Sequence, residues 1–356
     1  MTETPEFEGA GPVRPGFELP MDRLSEWLAT AAPDVGVLTE LRQFKGGQSN
    51  PTYQLEATSG SYVLRRKPSG TLLKGAHAVE REFRVISGLA KADFPVARAV
   101  ALCEDEAVIG STFYVMEKVD GRIFWNPSLP DLTPQDRAQH FDALNATIAK
   151  LHSIDPASIG LADYGRPGDF FARQIERWTK QYLADELAGR DPSMDRLIEW
   201  LPANRPEDDG AASIIHGDFR ADNVIFHPTE PKVRAVLDWE LSTLGHPMGD
   251  FTYHLMIYHL PPHMIGGFGG ADIRALGIPS QEDYLGAYCE RTGRKVPNEK
   301  ELNFFLAFNM FRLAGIIHGI KGRIARGTAS SVHAQTMADN LPELASIAWA
   351  QTGAKA

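Results

Sequence analysis

The spacing of apolar residues predicts strands in the first third of the chain and helices in most of the remainder. Short runs rich in β-branched and aromatic residues, separated by Gly, Ser or Pro, are typical of strands. The predicted strands are 38–44, 52–56, 61–66, 97–102 and 112–117. Residues 77–90 lie between the third and the fourth, and they place Val79, Phe83 and Ile86 on one side of a predicted helix.

After a predicted hinge at residues 119–122 the apolar period becomes helical. Helices are predicted there over 134–154, 170–187, 192–201, 251–260, 280–292, 299–320 and 330–349. One further helix is predicted before the first strand, over 22–31. A chain of 356 residues is long enough for two lobes with separate cores. We therefore predict a flexible tail with a leading helix over 1–35, a first lobe over 36–118 and a second lobe over 119–356.

The stretch 213–240 interrupts the helical period and carries the most specific polar pattern in the chain. Apolar runs flank Asp218 and Asn223, and the turn 227–231 separates two predicted strands of a hairpin. Asp238 follows the second of these strands. We therefore expect rigid backbone to hold all three polar side chains.

These three residues match what phosphoryl transfer from ATP requires, namely a carboxylate near the attacking hydroxyl and oxygen ligands for Mg²⁺. Kinases supply them as His-x-Asp, four residues, Asn, and a later Asp at a strand end, which is the spacing here. We predict that Asp218 orients or accepts the substrate proton and that Asn223 and Asp238 bind Mg²⁺. Alternatively, all three are solvated residues at the mouth of a hairpin. Asp250, just before a predicted helix, is expected to cap that helix or to support the Asp218 loop.

The turn after the first strand is a candidate phosphate-binding loop. Its glycines allow backbone N–H groups to approach phosphates, and its predicted nucleotide ligands are Gly46, Gly47, Ser49 and Asn50. The turn lacks the spacing of both the Gly-x-Gly-x-x-Gly loop and the P-loop. An ordinary hairpin loop is therefore an equal alternative.

Arg65 is the predicted cation for the nucleotide phosphates. Strand alternation places Arg65 and Arg66 on opposite faces, and the guanidinium of Arg65 could bind phosphate as a fork. Glu82 on the predicted helix is expected to pair with Arg65, with Glu80 as the alternative. Glu117, at the end of the last strand, completes the predicted nucleotide set. The competing interpretation of Arg65 is a charged strand end in solvent.

Composition narrows the class of protein. The net charge of −10 gives no basic surface for phosphate backbones, so no nucleic-acid partner is predicted. No unbroken apolar run is long enough to cross a bilayer, and the first 20 residues lack a signal pattern, so we expect a cytoplasmic protein without membrane contact. Cys103 and Cys289 have no metal-ligand spacing and are predicted to be reduced core residues.

With these residues in view, the chain resembles the aminoglycoside phosphotransferase-like kinases from about residue 35 onward. The most specific motifs are 216–223 (HGDFRADN) and 237–247 (LDWELSTLGHP), and the second resembles the subgroup fused to some acyl-CoA dehydrogenases. The resemblance implies a two-lobed, α+β protein-kinase-like fold. Its small lobe would have a five-stranded antiparallel sheet and one helix, and its larger lobe would be mostly helical, with ATP and Mg²⁺ in the cleft. Arg65 then stands where the usual strand lysine would be, which is a departure from the family pattern.

The charge of the last third bears on the substrate. Residues 251–356 contain 8 acidic and 10 basic residues, a net of +2, whereas the rest of the chain has a net of −12. We predict that Lys321, Arg323 and Arg326 contact an anionic substrate, and the subgroup resemblance makes a hydroxyacyl-CoA the leading candidate. The alternative for these cations is a solvated helix end.

Other functions stay open at this point. The small-molecule acceptor could be an aminoglycoside or another antibiotic. A non-catalytic pseudokinase that only binds nucleotide is a second alternative, although the complete set of Asp218, Asn223 and Asp238 weighs against it. A hydrolase would need two carboxylates facing each other across the substrate rather than one base and two metal ligands.

Overall fold

The structure is a computed structural model, and it describes residues 9–45, 50–68, 77–166, 168–329 and 333–354. Its strands are β1 (Ala10–Gly11), β2 (Leu38–Phe44), β3 (Thr52–Ala57), β4 (Gly60–Arg66), β5 (Ala99–Cys103), β6 (Phe113–Glu117), β7 (Ser213–Ile215), β8 (Val224–Phe226), β9 (Val233–Val236) and β10 (Thr243–Gly245). Its α-helices are α1 (Met21–Ala31), α2 (Val79–Ala90), α3 (Glu106–Ile109), α4 (Pro134–Ser153), α5 (Phe170–Ala184), α6 (Pro192–Ala203), α7 (Pro247–Leu255), α8 (Ile273–Leu276), α9 (Gln281–Thr292), α10 (Glu299–Ala325), α11 (Ala334–Asp339) and α12 (Leu341–Gln351).

The chain forms two compact units, each built from segments that are not contiguous in sequence. The first unit contains Met1–Trp125, Ala157–Leu161 and Asn223–Ser242, and the second contains Asn126–Pro156, Ala162–Asp222 and Thr243–Ala356. The contacts thus group the hairpin of β8 and β9 with the first unit, whereas the predicted second lobe includes it. The chain passes from the second unit to the first at the Asp222–Asn223 peptide bond.

The first unit is built on an antiparallel sheet in the order β1-β2-β3-β4-β6-β5. The predicted α+β fold class is confirmed, and β1 adds a sixth strand to the five predicted. Ala10 of β1 pairs with Phe44. Gln43 anchors this segment because its Oε1 accepts hydrogen bonds from the backbone N–H and the Nε of Arg14, at 3.0 and 3.2 Å. Two residues are too few to show a strand period, which explains why the predicted tail gave no strand signal.

The two faces of β4 serve different purposes. Leu64 is buried in a hydrophobic cluster with Leu24 and Leu28 of α1, so this face builds the core. Arg65 points to the opposite face, where it contacts Glu82 of α2. The period-2 alternation of a strand therefore fixes which cation reaches the helix.

Helix α10 is the centre of the second unit and packs against α5, α6, α7, α11 and α12. It begins with a capping box in which Asn298 and Glu301 each bond the other's backbone N–H. The helix is long and apolar enough to cross a membrane by length and composition, but 72% of its most apolar window is buried inside the protein. That burial is typical of a core helix.

Strands β7 and β10 pair in antiparallel fashion in the second unit, with Ser213 opposite Gly245 and Ile215 opposite Thr243. A Cβ atom at Gly245 would lie 2.5 Å from Ile215 Cδ1 and 2.8 Å from a ring carbon of Phe170, so the close packing requires glycine. The three residues of β7 are buried, and the chain leaves this strand directly into the loop of Asp218.

Candidate active site

Two side chains fix the backbone that precedes Asp218. Gly217 has a φ of 85°, a left-handed conformation that glycine adopts at low cost. Asp250 accepts hydrogen bonds from the backbone N–H of His216 at 2.8 Å and of Gly217 at 2.7 Å. Arg312 of α10 donates from Nη2 to the carbonyl oxygen of Gly217 at 2.6 Å. The loop is therefore held from two helices, and of the two roles expected for Asp250 the structure shows support of the Asp218 loop.

Asp250 is itself part of a buried network. Its Oδ2 lies 3.1 Å from Nε2 of His152, whose Nδ1 lies 2.7 Å from the hydroxyl of Tyr288. Burial alone would raise the pKa of Asp250. The hydrogen bonds from His152 and from the backbone N–H of His216, together with the electrostatic effect of both histidines, outweigh burial and lower this pKa. The carboxylate is therefore ionised at neutral pH and can accept every hydrogen bond aimed at it.

Two polar side chains surround the Asp218 carboxylate within the second unit. Tyr253 of α7 is buried and interacts electrostatically with the Asp218 carboxylate. Burial and the charge of Asp218 raise the pKa of Tyr253, so the phenol is protonated at neutral pH. Arg220 donates from Nε to Oδ1 of Asp222 at 2.9 Å and from Nη2 to Oδ2. Burial disfavours the charge of Arg220, but Asp222 and Asp218 outweigh it and raise its pKa, so it stays cationic.

In the first unit, Arg65 lies at the centre of an ion cluster. Its Nε is 2.8 Å from Oε2 of Glu82, and its Nη2 is 2.8 Å from Oδ1 of Asp238 and 3.7 Å from Oε2 of Glu240. Burial opposes the charge of Arg65, but the carboxylates outweigh it and raise its pKa. The expected pair with Glu82 is therefore present.

Neutral donors hold the Glu82 carboxylate as well. It accepts hydrogen bonds from Nδ2 of Asn50 at 2.9 Å and from the hydroxyl of Tyr114 at 3.1 Å. Asn50 is fully buried in this position. The structure thus gives Asn50 a role in orienting Glu82, and its predicted contact with nucleotide stays a prediction.

Of the remaining predicted nucleotide ligands, the structure describes only Glu117. Gly46, Gly47 and Ser49 lie outside the residues that the structure describes. Glu117 forms an ion pair with Arg98 at 2.6 Å, and both side chains are exposed. A role of Glu117 in nucleotide binding therefore stays a prediction, without a contact that supports it.

The hairpin of β8 and β9 brings Asn223 and Asp238 to one end. Val224 pairs with Val236, and the N–H of Leu237 donates to the carbonyl of Asn223 at 2.8 Å. Asp238 follows with a φ of 62°, a strained backbone conformation of the kind that clusters at functional sites.

Both side chains offer oxygen donors, which fit Mg²⁺. Among the described residues no group of three or more His, Cys, Asp or Glu could hold a metal. A magnesium ion at Asn223 and Asp238 would therefore need water and phosphate oxygens as further ligands, which is the usual habit of this ion.

The predicted substrate cations lie at the carboxyl end of α10, and they are Lys321, Arg323 and Arg326. Arg312, the α10 residue that reaches Gly217, precedes them by nine or more residues, which is at least about 14 Å along a helix rising 1.5 Å per residue. Arg326 is already paired with Asp185 through hydrogen bonds of 2.8 and 2.9 Å. The structure therefore does not bring this cluster to the Asp218 loop.

Tyr253 and Arg312 are candidate site residues that the sequence did not reveal. Both lie in apolar runs whose period predicts core helices. The available signal is a polar side chain inside such a run, as where Arg312 interrupts 304–317 (FFLAFNMFRLAGII). A charged residue on an otherwise apolar helix must find a partner when it is buried, but the pattern does not say which.

Comparison with known proteins adds three findings on sequence. The model of the phosphotransferase enzyme family matches residues 40–285. Acyl-CoA dehydrogenase family member 10 of Mus musculus is 44% identical over 342 residues, which cover 95% of this chain and 32% of that protein. Acyl-CoA dehydrogenase family member 11 of Homo sapiens is 43% identical over 294 residues, covering 82% and 37%. The chain therefore spans about a third of the length of these relatives.

Solved structures give the same picture of the fold. The crystal structure of a candidate aminoglycoside phosphotransferase from Ralstonia eutropha is 48% identical, with a TM-score of 0.86, and the match covers 94% of this chain and 99% of that one. A macrolide 2'-phosphotransferase from Brachybacterium faecium is 19% identical with a TM-score of 0.56, covering 90% and 98%. The second likeness is one of fold alone.

Proposed function

The chain belongs to the phosphotransferase enzyme family, and from this premise we propose that it is an ATP- and Mg²⁺-dependent kinase for a hydroxyl group of a small anionic molecule. The leading acceptor is a hydroxyacyl-CoA. The observation that carries the kinase proposal is the Asp218 carboxylate, which stands on a loop clamped by Asp250 and Arg312. A rigidly held carboxylate is the group that phosphoryl transfer needs beside the attacking oxygen.

In this proposal Asp218 orients the acceptor hydroxyl and takes its proton. Phosphoryl transfer has a loose transition state with little covalent change at the nucleophile, so position matters more than basicity. Arg220 stays cationic next to Asp218 and could balance the negative charge of the transferred group. Asp222 holds Arg220 through two hydrogen bonds and so limits its orientations.

Arg65 would bind the nucleotide phosphates, with Glu82 fixing its direction. The ion cluster is built for a guanidinium in one orientation, since Nε contacts Glu82 while Nη2 contacts Asp238. Asn223 and Asp238 would hold Mg²⁺, which when bound would neutralise phosphate charge. Asp238 would then contact both Arg65 and Mg²⁺, because one of its oxygens already contacts Arg65.

The choice of a hydroxyacyl-CoA rests on the relatives. Proteins named acyl-CoA dehydrogenase family members 10 and 11 match 95% and 82% of the chain at more than 40% identity, yet are about three times as long. Acyl-CoA dehydrogenases act on acyl thioesters of CoA, so a kinase joined to one would meet the same class of molecule. A hydroxyl on the acyl group would supply the phosphoryl acceptor.

Cations other than the predicted cluster favour an anionic acceptor. Arg326 is neutralised by Asp185, and its neighbours Lys321 and Arg323 are far along α10 from the Asp218 loop. Arg220 and Arg312 instead lie near Asp218 within the second unit. Arg220 is itself paired with Asp222, so Arg312 is the guanidinium that would disfavour a polycationic acceptor and favour an anionic one.

An acceptor screen tests the proposal. ADP formation is measured with ATP and Mg²⁺ against 3- and 4-hydroxyacyl-CoA esters, the same acyl-CoA esters without the hydroxyl, sugars, macrolides and aminoglycosides. Turnover on hydroxyacyl-CoA alone is expected. The matched esters without a hydroxyl serve as controls, because they can bind but offer no acceptor oxygen.

A second candidate is an aminoglycoside kinase, favoured by the 48% identity to the Ralstonia eutropha protein described by that activity. Turnover on aminoglycosides and not on CoA esters would replace the proposed acceptor and keep the chemistry. Mg²⁺-dependent ATP binding without turnover on any acceptor would instead support a pseudokinase and overturn the proposed reaction.

A further inference from the structure

Tyr114 of β6 lies directly opposite Arg65 of β4 in the antiparallel ladder. Residues that face each other across two strands have neighbouring side chains on the same face of the sheet. The adjacent residues Phe113 and Val115 belong to the hydrophobic cluster on the other face, as the alternation of a strand requires. The register of the two strands therefore brings the Tyr114 ring to the side where α2 packs and where Arg65 meets Glu82.

On this side the Tyr114 hydroxyl contacts the Glu82 carboxylate. It donates a hydrogen bond to Oε2 of Glu82 at 3.1 Å, and the same oxygen lies 2.8 Å from Nε of Arg65 in an ion pair. Burial raises the pKa of Tyr114 well above its usual range, so the phenol keeps its proton and is the donor. The Tyr114 ring packs edge-to-face against Phe83, the residue after Glu82, with ring centroids 6.0 Å apart. Both ends of the tyrosine side chain are therefore fixed.

The second oxygen of Glu82 is held by a separate neutral donor. Nδ2 of Asn50 donates to Oε1 at 2.9 Å, and Asn50 is fully buried. Glu82 is only 2% exposed, so these protein donors take the place of water around its carboxylate. Because Tyr114 and Asn50 bond different oxygens, a rotation of the carboxylate about its last bond would break both hydrogen bonds. The oxygen that faces Arg65 is thus selected by two side chains that carry no charge.

The fixed carboxylate in turn sets the orientation of Arg65. An arginine side chain is long and flexible, but here its Nε contacts Glu82 while its Nη2 donates to Oδ1 of Asp238 at 2.8 Å. Contacts at two different nitrogens define the plane of the guanidinium. The contact at Nε would lose its direction if the Glu82 carboxylate were free to turn.

We propose that Tyr114 and Asn50 are positioning residues for the nucleotide phosphates, because they hold the carboxylate that orients Arg65. This inference rests on the proposed kinase function, in which Arg65 binds those phosphates. Neither residue needs to touch the nucleotide in this role. A phenylalanine in place of Tyr114 would keep the packing against Phe83 and lose only the hydrogen bond, so packing alone does not require the hydroxyl.

Two ligands separate a positioning role from a merely structural one. ATP carries the phosphates that Arg65 would bind, whereas adenosine offers the same base and sugar without them. A general loss of order in the first unit would weaken the binding of both ligands. A misdirected Arg65 would weaken the binding of ATP and leave that of adenosine unchanged.

The test compares Tyr114→Phe with Tyr62→Phe by calorimetric titration with ATP and Mg²⁺ and, separately, with adenosine. Tyr62 of β4 belongs to the hydrophobic cluster on the face away from Arg65, and its hydroxyl lies 2.7 Å from Oγ of Ser59. For Tyr114→Phe we expect the Kd for ATP to rise about 3- to 10-fold, the loss of one hydrogen bond, and the Kd for adenosine to stay within about twofold. We expect Tyr62→Phe to keep both Kd values within about twofold.

Asn50→Asp is the second variant, because it keeps the size of the side chain and replaces the donor to Glu82 by a further carboxylate. Repulsion between the two carboxylates should raise the Kd for ATP more than Tyr114→Phe does. A thermodynamic cycle completes the test, since Tyr114→Phe should have no further effect on the Kd for ATP in an Arg65→Ala background.

The outcomes distinguish this inference from the proposed function. An unchanged Kd for ATP in Tyr114→Phe, an equal loss of ATP and adenosine binding, or a full effect of Tyr114→Phe in the Arg65→Ala background would each overturn the positioning role alone. Absence of ATP binding by the wild-type protein would overturn the proposed function, and the positioning role with it.

Discussion

Asp250→Asn is expected to weaken both the second unit and its catalytic loop. The carboxylate is buried and accepts three hydrogen bonds, two on Oδ2 and one on Oδ1. An amide has one oxygen, so whichever way it turns, its NH₂ group faces at least one backbone N–H of His216 or Gly217. The substitution therefore replaces an acceptor by a donor at the peptide unit before Asp218.

The magnitude can be worked out from these contacts. A hydrogen bond to a charged group contributes about 1.5–3 kcal/mol, and a buried donor left unsatisfied costs about 1–3 kcal/mol. We therefore expect the free energy of unfolding to fall by about 2–4 kcal/mol, or roughly 5–15 °C in Tm. Because the loop also loses its fixed geometry, kcat should fall by about 10²-fold, the effect of a small misplacement of a catalytic group.

The pH dependence of stability gives an independent check on the contribution of Asp250. The pKa of Asp250 is lowered in the folded protein, so its contribution to stability is complete above the unfolded value of about 3.9 and is lost as pH falls through the folded value. The stability difference between wild type and Asp250→Asn should therefore be constant from about pH 5 to 8 and shrink below about pH 4.

Urea unfolding at several pH values, with kcat measured alongside, provides the assay. Asp272→Asn is the matched control, because Asp272 caps the short helix α8 at an exposed position and Asn is an equally good cap. Equal unfolding midpoints and equal kcat for the two variants would refute the role given to Asp250.

Three further predictions concern other parts of the molecule. Arg65→Ala should weaken ATP binding about 10- to 100-fold in a nucleotide titration, since one charged contact is lost; unchanged affinity would remove Arg65 from the phosphate site. Gly121→Ala should destabilise the first unit by more than about 2 kcal/mol in urea unfolding, because its Cβ would overlap the carbonyl oxygen of Phe226, and wild-type stability would show that the backbone moves away freely. Arg326→Ala should leave kcat/KM for the acceptor within about twofold because Arg326 is paired with Asp185, and a large rise in KM would restore the predicted cation cluster to the substrate site.

Local patterns predicted most elements because propensity and burial agree there. Strand β2 has the predicted bounds 38–44, and helix α9 begins one residue after the predicted start because Ser280 caps it. The predicted helix 330–349 is instead two helices within the described residues, α11 and α12, and Pro342 lies in the first turn of the second. A proline fits the start of a helix far better than its interior, so the break has a local cause that periodicity alone does not weigh.

The candidate site was less accessible to sequence reasoning because its supports are distant in the chain. The strand alternation that selected Arg65 is a local rule, and it found the residue that contacts Glu82. The support of Gly217 by Arg312 joins residues 95 positions apart. The placement of Lys321 near the substrate relied on net charge, which cannot tell where along α10 a cation lies. The substrate role of Lys321, Arg323 and Arg326 therefore stays a prediction, which the Arg326→Ala variant tests.

The most direct test of the kinase proposal is transfer of an isotope-labelled γ-phosphoryl group from ATP to the acceptor found in the screen. Wild-type protein with Mg²⁺ should place the label on the acceptor hydroxyl. Asp218→Asn should lower that rate roughly 10²- to 10⁴-fold while still binding ATP, and removal of Mg²⁺ should abolish transfer. Label that appears only in free phosphate, or transfer by Asp218→Asn at the wild-type rate, would contradict the role of Asp218 as the base in phosphoryl transfer.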